Sequence, residues 1–210
     1  MNMEITEYKS LKVEVIDKIQ KIFPTWDFYN DASNDNIQHG VSIEEVRKIL
    51  QEIKSKLNVN ITFKEDFHSD HNYDRCWNLI ITKNPEIPTI HEVNWYHDDW
   101  NKNLVKFKSI QYMFLEISML SRYACCFWNI HHDNGNSEFF SSCPEDTILN
   151  EILIEIMQIL RNNDVIFLPP EITTIEFPDM KGRIFQGEIP TVHHCLFSQI
   201  TGGREGAIIF

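Results

Sequence analysis

Nine histidines and five cysteines are the side chains of this sequence best suited to chemistry. The tightest grouping is His68-Ser69-Asp70-His71, three candidate metal ligands in four positions, His68, Asp70 and His71. Zinc there would need a fourth donor from elsewhere. His91-Glu92 with His97 lacks the HExxH spacing. On a strand, those two rings would stand about 20 Å apart. His131-His132 and His193-His194 are adjacent pairs. Neighbouring strand residues point to opposite faces, so neither pair chelates by itself. A composite site would take one histidine from each pair, with Asp133 or Glu138. Cys195 beside His193 or His194 is a candidate nucleophile pair, although such dyads are assembled in space rather than in sequence.

Cys76, Cys125, Cys126, Cys143 and Cys195 show no CxxC spacing and are odd in number. They read as reduced, buried thiols of a cytoplasmic protein. No GxSxG, P-loop or GxGxxG sequence is present, and no cofactor is expected. The glycines of Gly202-Gly203-Arg204-Glu205-Gly206 read as a turn.

Aromatic side chains set among acids are a different kind of candidate. Trp95-Tyr96-His97-Asp98-Asp99-Trp100 is the densest case, with similar mixtures at Trp26 to Tyr29 and at Phe67 to Asp74. Aromatic anchors with acidic neighbours suit an interface with a basic protein. The simpler account makes the tryptophans core and the aspartates caps, with Asp98 and Asp99 favouring a following helix dipole.

The chain has 210 residues with 31 acidic and 19 basic side chains, a formal charge of −12. Such a surface repels phosphate backbones and anionic lipid, which argues against nucleic acid and membrane as main partners. It steers basic proteins, cationic ligands or metal ions toward the chain, or simply maintains solubility. Residues 1–105 carry 12 basic and 18 acidic groups, and residues 106–210 carry 7 and 13. Charge therefore marks no domain boundary, and one domain over 1–210 is expected. The start, Met1-Asn2-Met3-Glu4, has no signal-peptide pattern. No window approaches the roughly 20 apolar residues of a membrane span.

The elements that must position these residues follow from periodicity. Apolar spacing predicts helices over 5–23, from Ser42 to Leu57 with a Ser42/Glu45 capping box, and from a Ser142/Glu145 box to about Asn162. A long central helix is predicted over 104–122, apolar nearly all round and largely buried, with Glu116 reaching solvent at its edge or, as the alternative, a buried carboxylate of shifted pKa. Strands are expected at 59–63, 76–82, 90–96, 165–168, 172–177, 183–187 and 192–200. A hairpin centred on Asn134-Gly135 would pair Trp128 with Ser141, Ile130 with Phe139 and His131 with Glu138. Its core face would carry Cys126, Trp128, Ile130 and Phe139. Consecutive strands with about four helices give the α+β class, mainly antiparallel, with the helices on one face.

No family motif covers the chain. In general character, small and acidic, it resembles bacterial immunity proteins that neutralise basic toxins. That resemblance implies a non-enzymatic cytoplasmic inhibitor that masks a basic protein partner such as a nuclease toxin. Trp95, Tyr96, Asp98, Asp99, Trp100, Asp70 and Asp74 are the expected contact residues. The alternatives are a metal-dependent hydrolase using His68, Asp70 and His71, and a homo-oligomeric structural subunit with the central helix buried between protomers.

Overall fold

Three long helices form where the apolar spacing places them. The computed structural model describes residues 5–27, 40–63, 75–83, 109–132, 137–140, 148–180 and 189–197. Helix α1 spans Ile5–Ile22 and buries Val15, Ile19 and Ile22. Helix α2 spans Ile43–Lys56 and buries Val46, Ile49 and Ile53. Its capping box is closed in both directions: the Glu45 N–H donates to Ser42 Oγ (3.3 Å), and the Ser42 N–H donates to Glu45 Oε2 (2.9 Å). Helix α3 spans Ile148–Asn162. It ends in a Schellman pattern, with Val165 N–H bonded to Leu160 O (2.9 Å) and Asp164 N–H to Arg161 O (3.1 Å). Asp164 takes the left-handed backbone that this ending requires, with φ 56°.

Among the described residues the sheet has six strands: β1 (Asn60–Phe63), β2 (Cys76–Thr82), β3 (Ser109–Ser118), β4 (Tyr123–His132), β5 (Ser137–Phe140) and β6 (Ile166–Phe167). The order is β1-β2-β3-β4-β5, all antiparallel, while the short β6 runs parallel to β4. Helices and a mostly antiparallel sheet make this an α+β protein.

The helix expected over 104–122 is instead strand β3 through 109–118, at the middle of the sheet. Its odd positions, Met113, Leu115 and Ile117, pack under α2 and α3. Its even positions Ile110, Tyr112 and Glu116 are also buried. A strand covered on both faces gives a nearly continuous apolar run, which helical spacing fits equally well. The reason to expect a protomer interface on an all-round apolar helix disappears with that helix, because this chain's own layers cover β3.

Helices lie on both faces of the sheet, not one. Val46, Ile49, Ile53, Leu149, Ile156 and Leu160 pack with Leu79, Leu115 and Trp128 on one side. On the other, Val15, Ile19 and Phe23 pack with Cys76, Cys125 and the segment Val192–Phe197. Trp77, Leu79 and Ile81 share the first face, as their alternation predicts.

Three further expectations change. The β4–β5 pairing is Trp128 with Phe140, Ile130 with Glu138 and His131 with Ser137, one residue off a hairpin built on a two-residue turn. Phe140, in place of the expected Ser141, therefore stands opposite Trp128 and packs on that core. The strand expected at 172–177 is replaced by a short helix α4, Pro170–Thr173, which a proline in its first turn favours, and by a single bridge between Glu176 and Thr191. The strand expected at 192–200 begins instead as helix α5, Val192–Leu196. The expected strands at 90–96 and 183–187, the Asn134-Gly135 turn and the Ser142/Glu145 box lie outside the described residues.

The tight β3–β4 connection anchors the first layer. Arg122 Nε donates to Asp164 O (3.0 Å), Nη2 to Asn163 O (2.7 Å) and Nη1 to Glu45 Oε1 (2.7 Å). One guanidinium thus satisfies carbonyls past the end of α3 and pairs with the first turn of α2. Gly40 passes so close that an added Cβ would lie 1.9 Å from Met119 O. Beyond it, Val41 N–H bonds to Ser118 O (3.1 Å), and Val41 O accepts from Trp77 Nε1 (2.8 Å). Gly40→Ala must therefore shift backbone. The expected loss is at or above the ~1–3 kcal/mol usual for overpacking, read as a lower urea midpoint.

The Ser42 backbone N–H first, and the Arg122 guanidinium second, hold the Glu45 carboxyl at about 2, against an ordinary 4.5. A lowered folded value contributes stability that is present above the unfolded value and lost as pH falls through the folded one. The Glu45 side chain is 42% exposed, so screening keeps that contribution small, under about 1 kcal/mol. The stability gap between the native chain and Glu45→Gln should be present at neutral pH. It should close as pH drops from 4.5 toward 2, as measured by denaturant titration.

Candidate functional site

A carboxylate, a thiol and an imidazole from three elements converge beneath α5, and each is positioned by the elements that carry it. Glu116 on β3 stands opposite Cys125 on β4 in the strand register. His193 comes from α5, which caps the same face. His193 Nε2 lies 2.7 Å from Glu116 Oε2, and Cys125 Sγ donates to the same oxygen over 3.6 Å. Exposures are 1% for Glu116, 3% for Cys125 and 3% for His193. The His193 ring stacks on Phe197 with centroids 5.6 Å apart. Its Nδ1 is buried and has no partner among the described residues.

Helix α5 has only five residues, so its ends need partners from outside. At its start the Thr191 N–H donates to His194 Nδ1 (3.1 Å), and the His194 N–H donates to Thr191 Oγ1 (3.4 Å). Histidine here fills the place that Glu or Gln usually takes in a capping box. Its final carbonyls are satisfied from the sheet. Ser118 Oγ donates to Leu196 O (2.7 Å), the Arg75 N–H to Phe197 O (2.6 Å) and Arg75 Nη1 to Cys195 O (3.4 Å). The Arg75 guanidinium lies 5.3 Å from the centroid of the Phe23 ring. Burial lowers Arg75 to about 10, which leaves it charged at neutral pH.

The cluster is not arranged as a cysteine nucleophile. An attacking thiolate needs a neighbouring base or positive charge to form. Burial, and then the negative Glu116 beside it, push the Cys125 thiol well above its ordinary value. The pair expected at Cys195 and His193 or His194 is also not formed. His193 turns to Glu116, and the Cys195 thiol faces Met180 Sδ at 3.9 Å. Burial raises Cys195 to about 12. Among the described residues the two histidine pairs do not meet around Glu138, and Asp133 lies outside those residues. His132 lies 3.3 Å from Glu138, whereas His193 is held by Glu116. Glu116 itself is buried at the sheet centre, not at a solvent edge.

In donor chemistry the three side chains could hold a metal ion, since their ligand atoms all lie within 4.8 Å of one another. Spacing in the sequence does not reveal this set, because 9 residues separate Glu116 from Cys125 and 77 separate Glu116 from His193. One signal was legible: a single acid, Glu116, inside an otherwise apolar run. The expected contact residues Trp95, Tyr96, Asp98, Asp99, Trp100, Asp70 and Asp74, and the alternative ligands His68, Asp70 and His71, lie outside the described residues. Comparison with protein-family models, curated proteins and solved structures finds no match to this chain.

Cys76, Cys125, Cys126 and Cys195 are buried and in no disulfide. In a Cys143→Ser chain, all four should resist a soluble disulfide reagent in the native state. They should react together only on unfolding, as followed by released thiolate absorbance. Fast native reaction at Cys125 would contradict its enclosure.

Proposed function

We propose that this chain is a non-enzymatic binding protein that masks a basic protein partner, in the manner of an immunity protein neutralising a cationic toxin such as a nuclease. The carrying observation is the formal charge of −12. Among the described residues, Glu116 is the one acidic side chain that is buried. A surface of this sign accelerates encounter with a basic partner and imitates the phosphates that a nuclease binds.

The contact is assigned to Trp95, Tyr96, Asp98, Asp99, Trp100, Asp70 and Asp74, because aromatic anchors supply affinity while acids supply steering. No helix among the described residues is long and apolar enough to cross a membrane. A metal-dependent hydrolase is the competing reading. The convergence of Glu116, Cys125 and His193 favours a metal but not a hydrolase, since these side chains are closed off from substrate.

The natural test is a cationic nuclease encoded beside this gene. Co-expression should relieve its toxicity. Asp98→Ala with Asp99→Ala should slow association several-fold, most strongly at low salt where screening is weakest. Undiminished toxicity, or association rates indifferent to both the substitutions and salt, would refute the reading.

A further inference from the structure

From the side chains gathered beneath α5 we infer a binding site for a zinc-like divalent cation, made by Glu116, Cys125 and His193. It lies beyond the proposed partner-masking role and stands or falls separately from it.

The donor set is one oxygen, one sulfur and one nitrogen, the mixture that zinc takes and that magnesium and calcium, which require oxygen donors, do not. A divalent ion with one carboxylate and one thiolate is electrically neutral, which suits a site where the three side chains are 1–3% exposed. Around a tetrahedral zinc with bonds of about 2.0–2.3 Å, donor atoms stand about 3.3–3.6 Å apart. The Sγ to Oε2 separation is already 3.6 Å. The Nε2 to Oε2 separation of 2.7 Å is that of a hydrogen bond and must open by about 0.6 Å to admit the ion.

The hydrogen bonds point the same way. With a hydrogen on Nε2, both the imidazole and the thiol aim a proton at Oε2. A cation placed among the three atoms takes over the electrostatic role of both protons. On binding, the sulfur–zinc bond replaces the sulfur–hydrogen bond, and that proton leaves to solvent. The neutral imidazole binds through its Nε2 lone pair, so its one proton moves from Nε2 to Nδ1. Three protein donors leave the fourth position of the ion to water. Because the donors come from β3, β4 and α5, the ion would tie the C-terminal helix to the centre of the sheet.

The full chain, purified without an affinity tag and under reductant, should retain stoichiometric zinc by elemental analysis after dialysis against micromolar zinc. Cobalt in its place should give a thiolate-to-metal charge-transfer absorption. Cys125→Ser should remove that absorption and weaken zinc binding by more than the ~10–100-fold typical of losing an outer-shell partner. Cys76→Ser, Cys195→Ser and His71→Ala should leave both intact. X-ray absorption at the zinc edge of the unmutated protein should show a single sulfur among nitrogen and oxygen neighbours, a readout that does not depend on any variant folding. Absence of stoichiometric zinc, a ligand shell without sulfur, or metal lost on His71→Ala but kept by Cys125→Ser would overturn the assignment. In the first case the three side chains form a hydrogen-bonded clasp only.

Discussion

An acid buried in the middle of a sheet is shut off from bulk solvent, and the elements around Glu116 bring polar side chains to it. Leaving a carboxylate uncompensated in such a place costs roughly several kcal/mol, so Glu116 must receive its partners from the protein. Cys125 supplies one across the β3–β4 pair, where the strand register brings it automatically. His193 supplies a second, and its delivery is harder, because it arrives from a helix 77 positions away in sequence. The length of α5, its histidine-closed capping box and the three carbonyls taken up by Ser118 and Arg75 all place that one ring.

Arg75 and Arg122 solve the same problem on opposite layers. Each is a guanidinium spent on backbone carbonyls at the end of a helix that would otherwise lack partners. Arg122 works at the rim, joining α2 and α3, and its pairing with Glu45 is largely solvated. Arg75 works inside, under Phe23, where loss of hydration is large enough to move even an arginine. Both reach their targets from chain flanking the central strands β2, β3 and β4, so the sheet sets where the helices can end.

A functional assignment therefore rests on two separate features. The acidic surface is a property of composition, and its use in masking a basic partner is our reading of that charge. The buried acid, thiol and imidazole are a property of the fold, and they act on the interior rather than on a substrate. Nothing about the second feature requires the first, which is why they are assigned different roles.

Composition and local pattern were enough for part of this protein. The three long helices, the Ser42/Glu45 box, the 76–82 strand with its core face, and the α+β class are all written in short-range spacing, because helix caps and alternation are local physics. The central element was not. Residues 109–118 carry apolar side chains on both faces, and only the layers above and below decide that such a run is a doubly covered strand. The turn after it, Met119-Leu120-Ser121-Arg122, contains no Gly, Pro or Asn, so nothing local announces a hairpin. Without that hairpin, Glu116 cannot be seen to face Cys125. Without the capped helix at 192–196, His193 cannot be seen to face either. Tertiary structure decided the site because its members are far apart in sequence, and only strand register and helix docking convert that distance into contact.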